Sequence, residues 1–428
     1  MTLFDWTNAS PEEKDAILAR PDRRDDPDLR AEVARMVYTI RDEGWPALRR
    51  YARRIDQADV RAIAVEPYAD RAERTLGDEA IDAIALAYDH IAKFHEAARP
   101  DDVFVETCDG LTMSKRWIAL DRVGLYVPGG KAPLFSTLLM LAVPARIAGV
   151  RDIVCVTPPR ADGGLDPAIA YCARLCGIDR IWSVGGAQAI AALAFGAGDI
   201  PAVDRIYGPG NKWVSMAKSL VSSTPGGPGI DLPAGPSELL VIADDSADPV
   251  FVAADLLSQA EHDPDAQVLL VSTDEGCARE ALAQAERQMA AMGGDFAPIR
   301  TVLCADLNDA VEIANLYAPE HLSLALDAAD ADAVAAKIRN AGTVFVGHSA
   351  AETFGDYCAG PSHVLPTDGA ARYTGGISTQ TFMKAVGFQR VEGNGARQIA
   401  AAAAALARLE GLEAHARAAE ARLGKALA

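Results

Sequence analysis

The stretch Val123-Gly124-Leu125-Tyr126-Val127-Pro128-Gly129-Gly130 decides the fold. A short apolar run stops at a proline–glycine turn, and the spacing behind it predicts a helix over Ser136–Ala148. The same order then recurs: strand Ile153–Thr157 and helix Pro167–Cys176, then strand Ile181–Val184, Gly185-Gly186 and helix Ala187–Phe195. Arg205–Tyr207 leads into Gly208-Pro209-Gly210-Asn211 and a further helix through Leu220. Such alternation predicts a parallel sheet covered by helices. Pro225-Gly226-Gly227-Pro228-Gly229 is the strongest punctuation in the chain and marks a crossing between domains. A second alternating unit follows, with strands Leu239–Ile242, Val268–Ser272, Thr301–Cys304 and Thr343–Val346, and helices Pro249–Glu261, 274–291, Leu307–Tyr317 and Asp330–Ala341.

Working outward, residues 1–22 read as a short helical arm. Residues from about 27 to 98 read as helices, with apolar positions recurring at three and four, as in Val33, Met36, Val37 and Ile40. A polar strand-like passage runs from Phe104 to Trp117. Beyond about residue 376 the chain is alanine-rich and reads as helical to the end. That tail is too thin to bury a core of its own, so it must lie on another surface, in this subunit or in a partner. The fold class is therefore α/β: two parallel-sheet, incomplete Rossmann-like domains with helical N- and C-terminal appendages.

The 428 residues carry a formal net charge of −19, which argues against nucleic acid or an anionic membrane as partner. No apolar run reaches the length of a membrane span, and the N-terminus lacks a basic region followed by an apolar one, so a cytoplasmic location is expected. Seven scattered cysteines read as reduced, buried thiols, with no second pair to complete a zinc site around Cys172 and Cys176.

Chemistry gathers in a few places. The glycine turns at Gly129-Gly130, Gly185-Gly186 and Gly208-Pro209-Gly210 each follow a strand and open a helix, where free N–H groups and the helix dipole favour phosphate. None is the dinucleotide fingerprint or a P-loop, and a plain tight turn competes with the phosphate reading at each. Three turns at strand ends of one sheet would share one crevice, with Tyr126, Gln188 and Asn211 beside it. In Ser258-Gln259-Ala260-Glu261-His262-Asp263-Pro264, Gln259 and His262 share a helical face near the helix end. They suit a divalent metal if further ligands are supplied, or else a surface amide and a helix-terminal imidazole.

Glu320-His321, just past a helix end, suits proton transfer, with a capping pair as the alternative. Gly355-Asp356-Tyr357 and Gly360-Pro361-Ser362-His363 read as a functional loop holding a possible ligand and a substrate contact, or as a polar surface loop. Glu410 and His415 would diverge by about 140° on one continuous helix, but Gly411 between them offers a break. His90 and His95, on a predicted helix over 81–95, read as ordinary surface positions.

Taken together, these residues resemble the histidinol dehydrogenase family. The resemblance rests on Ser258–Ala266, Val184–Ile190, Gly208-Pro209-Gly210-Asn211, Ala234-Gly235-Pro236-Ser237-Glu238, Ala318-Pro319-Glu320-His321-Leu322 and Gly355-Asp356-Tyr357. These run in order from about 120 to 366, with a fainter continuation to His415. The stretch Arg372 to Lys384 departs from the family's usual Gly/Leu-rich joint.

The resemblance implies a zinc-dependent, NAD-linked enzyme that oxidises L-histidinol to L-histidine in two steps through an aldehyde. It carries zinc ligands onto Gln259, His262, Asp356 and His415, and the proton-transfer pair onto Glu320 and His321. Substrate contacts fall on Ser237, His363 and Glu410 as well as on His321 and the zinc ligands, and cofactor contacts on Tyr126, Gln188 and Asn211. It also implies a homodimer whose tail comes from the other subunit. The expected division is an arm at 1–22, a discontinuous catalytic domain of 23–122 with 235–376, an NAD-binding domain at 123–234 and a swapped tail at 377–428. In that scheme His321 removes the alcohol proton and Glu320 activates water for the second step. Zinc positions the substrate or activates the alcohol directly; both roles stay open at this point. Another amino or sulfonated alcohol as substrate, and a non-catalytic metal- or nucleotide-binding protein, are the competing readings.

Overall fold

The computed structural model describes residues 3–21, 26–129, 133–232 and 235–423. The arm is not wholly helical: β1 (Leu3–Asp5) joins a sheet edge, Trp6 is buried, and only then does α1 (Pro11–Leu18) begin, under a capping box made by Ser10 and Glu13. Asp26 caps α2 (Pro27–Glu43), which buries Leu29, Val33, Met36, Val37 and Ile40 as a single stripe. Next come α3 (Trp45–Ile55), β2 (Arg61–Ala64), α4 (Glu66–Thr75) and α5 (Asp78–Ala97). The hairpin of β3 (Val103–Cys108) and β4 (Leu111–Ala119) follows.

The first alternating unit is β5 (Arg122–Tyr126), α6 (Phe135–Ala148), β6 (Asp152–Thr157), α7 (Pro167–Leu175), β7 (Arg180–Ser183) and α8 (Gly186–Phe195). It ends with β8 (Arg205–Tyr207), α9 (Lys212–Ser223) and β9 (Gly229–Ile230). Its sheet has the order β2-β7-β6-β5-β8-β9, parallel except for β2. The Pro225–Gly229 punctuation therefore leads into the last strand of this sheet, and the crossing lies after it.

The second unit is β10 (Glu238–Ala243), α10 (Pro249–Ala260), β11 (Gln267–Ser272), α11 (Glu275–Met292), β12 (Ile299–Leu303) and α12 (Leu307–Tyr317). It continues through β13 (His321–Ala325), α13 (Ala328–Ala335), β14 (Thr343–Val346) and α14 (Glu352–Tyr357). Its order, β1-β12-β11-β10-β13-β14, is wholly parallel. Both sheets read as near-continuous apolar runs because helices cover both of their faces.

Three expectations are corrected here. Residues of 23–122, grouped from the sequence with the second sheet, pack on the first. Val33, Ile40 and Leu48 share a core with Trp182 and Leu193; Ile84 and Ile91 share one with Leu138 and Cys172. The helical stretch 27–98 contains β2, paired with β7. The tail is not helical throughout: β15 (Met383–Val391) pairs antiparallel with β4, and α15 (Gly395–Leu409) and α16 (Glu413–Ala421) come after it. The atypical joint before β15 is tied to the first sheet, where the Thr381 carbonyl accepts from the Tyr207 hydroxyl at 2.5 Å. Five cysteines are buried and two half-buried, all of them free.

Candidate active site

Two sheet edges meet. The first sheet presents the C-terminal ends of β5 and β8, on either side of the point where its strand order reverses. The second presents the N-terminal ends of β10 and β13, with the C-terminal end of α10 beside them. Between them lies a cavity of about 200 Å³, lined by Ser237, Gln259, His262, Glu320, His321, Asp356 and His363, and across from them by Thr137 and Gly208-Pro209-Gly210. Residues scattered over most of the second unit thus converge at one place. Glu410 and His415 do not line it; both are exposed on the tail.

Local folding explains each position. α10 stops at Ala260, so Gln259 lies in its last turn, while His262 stands just beyond it with its N–H on the Gln259 carbonyl at 3.3 Å. Ala318 takes a left-handed φ of 55° to end α12, which turns Glu320 and His321 inward at the start of β13. Both are buried. Glu320 Oε2 accepts the Glu238 backbone N–H at 2.8 Å, and His321 Nδ1–H donates to the Glu238 carbonyl at 3.0 Å. That second bond fixes the tautomer and leaves Nε2 as the nitrogen facing the cavity, where it has no hydrogen-bond partner. The Gln259 side-chain oxygen and nitrogen are likewise buried without a partner.

A carboxylate unread in the sequence stands with them. Glu352 is buried, with Oε1 3.4 Å from His321 Nδ1, while Asp356 Oδ1 lies 3.6 Å from Nε2. The donor atoms of His321, Glu352 and Asp356 all fall within 4.8 Å of one another. The available signal was the Glu352/Asp356 spacing of four, which puts both on one face of α14.

Burial pushes Glu320 up to about 7 and Glu352 up to about 8, in each case against the opposing pull of His321. Burial works to lower His321, but Glu320, Glu352 and Asp356 outweigh it and raise the imidazole well above its ordinary value. Burial also raises Asp356, yet His321 draws it below the usual carboxylate range. His363 has both nitrogens engaged: Nδ1–H donates to the Asp356 carbonyl at 2.7 Å, and Nε2 accepts from the Thr137 hydroxyl at 3.2 Å. It ties the two halves of the site together.

The expected cofactor contacts lie along the first sheet. A crevice of about 570 Å³ at its strand ends is lined by Gly129, Pro133, Thr157, Pro158 and Asp166. Tyr126 and Gln188 meet at the Gly185-Gly186 turn, where the Gly186 N–H donates to the Tyr126 hydroxyl at 3.2 Å. Asn211 caps α9, accepting from the N–H groups of Trp213 and Val214. Two glycine turns are already served by side chains. Asp56 accepts from the Gly185 N–H at 3.3 Å, and Asp231 accepts from the Gly208 N–H at 2.7 Å. A buried Lys218–Asp231 ion pair, with Lys218 Nζ also donating to the Gly208 carbonyl at 2.8 Å, holds the latter turn. At each of these two turns a carboxylate already occupies a backbone N–H that the phosphate reading would use. Gly130 lies outside the described residues. His95, read as a surface residue, is fully buried with neither ring nitrogen partnered.

The chain is similar to known proteins along nearly its whole length. The family model described as histidinol dehydrogenase matches residues 19–423. The chain is 44% identical over 420 residues to histidinol dehydrogenase of Idiomarina loihiensis, covering 96% of this chain and 95% of the relative. It is also 44% identical over 433 residues to that of Xanthomonas campestris pv. campestris, covering both chains fully. Among solved structures, histidinol dehydrogenase from Elizabethkingia anophelis superposes with a TM-score of 0.92 at 38% identity, over 99% of this chain and 98% of that one. On that footing, the chain belongs to the histidinol dehydrogenase family.

Proposed function

We propose that this chain oxidises L-histidinol to L-histidine in two successive dehydrogenations, as a step of histidine biosynthesis. One observation carries the reading. A buried acid and a buried imidazole, Glu320 and His321, are held by the backbone N–H and C=O of one residue, Glu238, at the wall of a cavity where two α/β units meet. In the first step His321 Nε2 takes the hydroxyl proton as the alcohol carbon loses hydride. In the second, Glu320 takes a proton from the water that adds to the aldehyde while the protonated His321 returns its proton to the aldehyde oxygen. His321, neutral again, then serves the hydrate as it served the alcohol. Keeping the aldehyde between steps requires the cavity to be closed during turnover. Bound NAD supplies the hydride acceptor for both oxidations, with the crevice of the first sheet as its seat.

The donor set fits a zinc ion. Gln259 offers an amide oxygen that is buried and has no protein partner, and His262 and Asp356 line the same cavity. His415 from a second copy would complete the four. A zinc ion held by these residues would supply a fixed positive charge to attract electron-rich substrate atoms and to disfavour a protonated His321. Ser237 and Glu410 are assigned to substrate contact, Glu410 also reaching in from the second copy of a homodimer. Among the described residues no helix is long and apolar enough to cross a membrane, and a cytoplasmic site of action is assigned.

The test is NADH formation by purified protein with a panel of alcohols: L-histidinol, other amino alcohols and sulfonated alcohols. The expected result is two NADH per L-histidinol, with histidine as product. Turnover of another panel member in preference to L-histidinol would overturn the assignment.

A further inference from the structure

Glu238 does more than begin β10. Its N–H holds the Glu320 carboxylate and its carbonyl holds His321 Nδ1, so the backbone of one residue, through the two peptide units on either side of its Cα, sets both groups. Its own side chain is buried and points the other way. There Oε1 accepts from Arg20 Nε at 2.5 Å and from the Asp368 N–H at 3.0 Å, while Oε2 accepts from Arg20 Nη2 at 2.8 Å. Arg20 comes from the N-terminal arm, 218 residues away in sequence. The same Nη2 donates to the Tyr317 carbonyl at 2.9 Å, and the guanidinium lies 3.9 Å from the Tyr317 ring centre.

We propose that Arg20 is a positioning residue for the catalytic pair, acting through Glu238; this rests on the reading of Glu320 and His321 given above. A buried carboxylate keeps its place only when paired and hydrogen-bonded. The bidentate fork of Arg20 therefore fixes the Glu238 side chain, and through its Cα the orientation of the two flanking peptide units, whose N–H and C=O make the two catalytic hydrogen bonds. Simple attachment of the arm is a different job and is done elsewhere. Arg300 Nη1 donates to the carbonyls of Ile17 at 2.7 Å and Ala19 at 2.9 Å, and β1 pairs with β12. The arm thus has its own anchors, and Arg20 adds the contact that reaches the site.

The experiment compares Arg20→Ala and Arg20→Lys in the full-length protein. A displacement on the order of 1 Å in a catalytic group costs about a hundredfold in rate, so kcat of Arg20→Ala is expected to fall about a hundredfold. NAD affinity, followed by tryptophan fluorescence, should stay within about twofold, because the first-sheet crevice is untouched. Millimolar guanidinium should restore part of the lost kcat of Arg20→Ala. The His321 imidazole resonance in the NMR spectrum should move in Arg20→Ala, a readout independent of turnover. A folded Arg20→Ala with unchanged kcat and an unmoved His321 resonance would overturn the proposal. So would a loss of thermal stability alone. If Arg20→Ala fails to fold, Arg20→Lys is read the same way: it keeps the charge and loses the fork, so an unshifted His321 resonance there overturns the idea. Lack of histidinol turnover by the unaltered chain strikes the functional reading instead, and leaves the resonance test standing.

Discussion

The Asp56 carboxylate accepts a hydrogen bond from the Gly185 N–H at 3.3 Å and another from Gln188 Nε2 at 3.0 Å. It sits at the start of α8, where a negative charge is favoured. Replacing Asp56 with Ala leaves a buried amide and the N-terminal N–H without their acceptor, at a cost of about 1–3 kcal/mol. Asp56→Asn keeps one acceptor oxygen and should lose less than half as much. Urea unfolding midpoints check the order; equal losses would mean that the charge, not the hydrogen bonds, is what the helix start requires.

The division of labour in the catalytic pair is testable by half-reaction. His321→Asn should slow oxidation of both the alcohol and the aldehyde, because each surrenders a proton to the same nitrogen. Glu320→Gln should mainly slow oxidation of supplied aldehyde, the step that consumes water. Burial pushes Glu320 up to about 7, and only the carboxylate form accepts a proton. The aldehyde step should therefore speed up as pH rises through about 7, and Glu320→Gln should flatten that limb. Equal damage to both half-reactions in Glu320→Gln would contradict the scheme.

Sequence and structure agree where local pattern is strong. The alternation from Val123 onward announces both sheets, because each buried strand is a short apolar run and each turn is marked by glycine or proline. Strand β2 escapes because Arg61-Ala62-Ile63-Ala64 is short, lies between helices and takes its order from pairing with β7. Strand β15 escapes for the same reason inside an alanine-rich tail: its pairing with β4 joins residues about 270 positions apart. The cavity residues carried by motifs were legible. Arg20 was not, since it has no pattern of its own until the arm is folded against β10, and Glu352 left only its spacing of four from Asp356 as a signal. The grouping of 23–122 failed because helical periodicity shows that a face is buried, without saying on which sheet.

His95 is expected to make the protein acid-sensitive. It has no exposed surface and no hydrogen-bond partner on its ring, and burial lowers it from 6.5 to about 4. Above pH 6.5 it is neutral in both the folded and the unfolded chain. As pH falls from 6.5 toward 4 the unfolded chain gains a proton that the folded one refuses, so stability is lost across that window, by up to about 3 kcal/mol. His95→Met should flatten this part of the pH–stability curve, measured as urea midpoints from pH 7 to pH 4. A curve as steep as that of the unaltered chain would assign the loss to other groups.

Metal content follows from the unpartnered Gln259 amide. Purified protein should hold about one zinc per subunit. Prolonged chelation should abolish turnover and added zinc restore it. Gln259→Ala should weaken zinc by at least the roughly 10–100-fold that loss of an outer-shell partner costs. A metal-free preparation with full activity would sink the zinc assignment.

Sharing of the active site between two chains is the last expectation. Helices α15 and α16 bury only a few small residues, among them Ala400, Ala404 and Ala416. Leu406, Leu409 and Leu412 stay exposed, Leu409 by 84%, so the tail carries an apolar edge that the described residues of the single chain leave uncovered. His415 and Glu410 ride on this tail, away from the cavity that needs them. A second copy can cover the leucines and receive both side chains in one docking event. His262→Ala and His415→Ala chains should each be inactive alone. Mixed under dissociating and reassociating conditions, they should form heterodimers in which the intact His262 of one chain meets the intact His415 of the other. Random assembly makes half the dimers mixed, each with one of its two sites repaired, so up to about a quarter of unaltered activity should return. Verified heterodimers that stayed inactive, with both parents folded, would mean that each tail serves its own subunit.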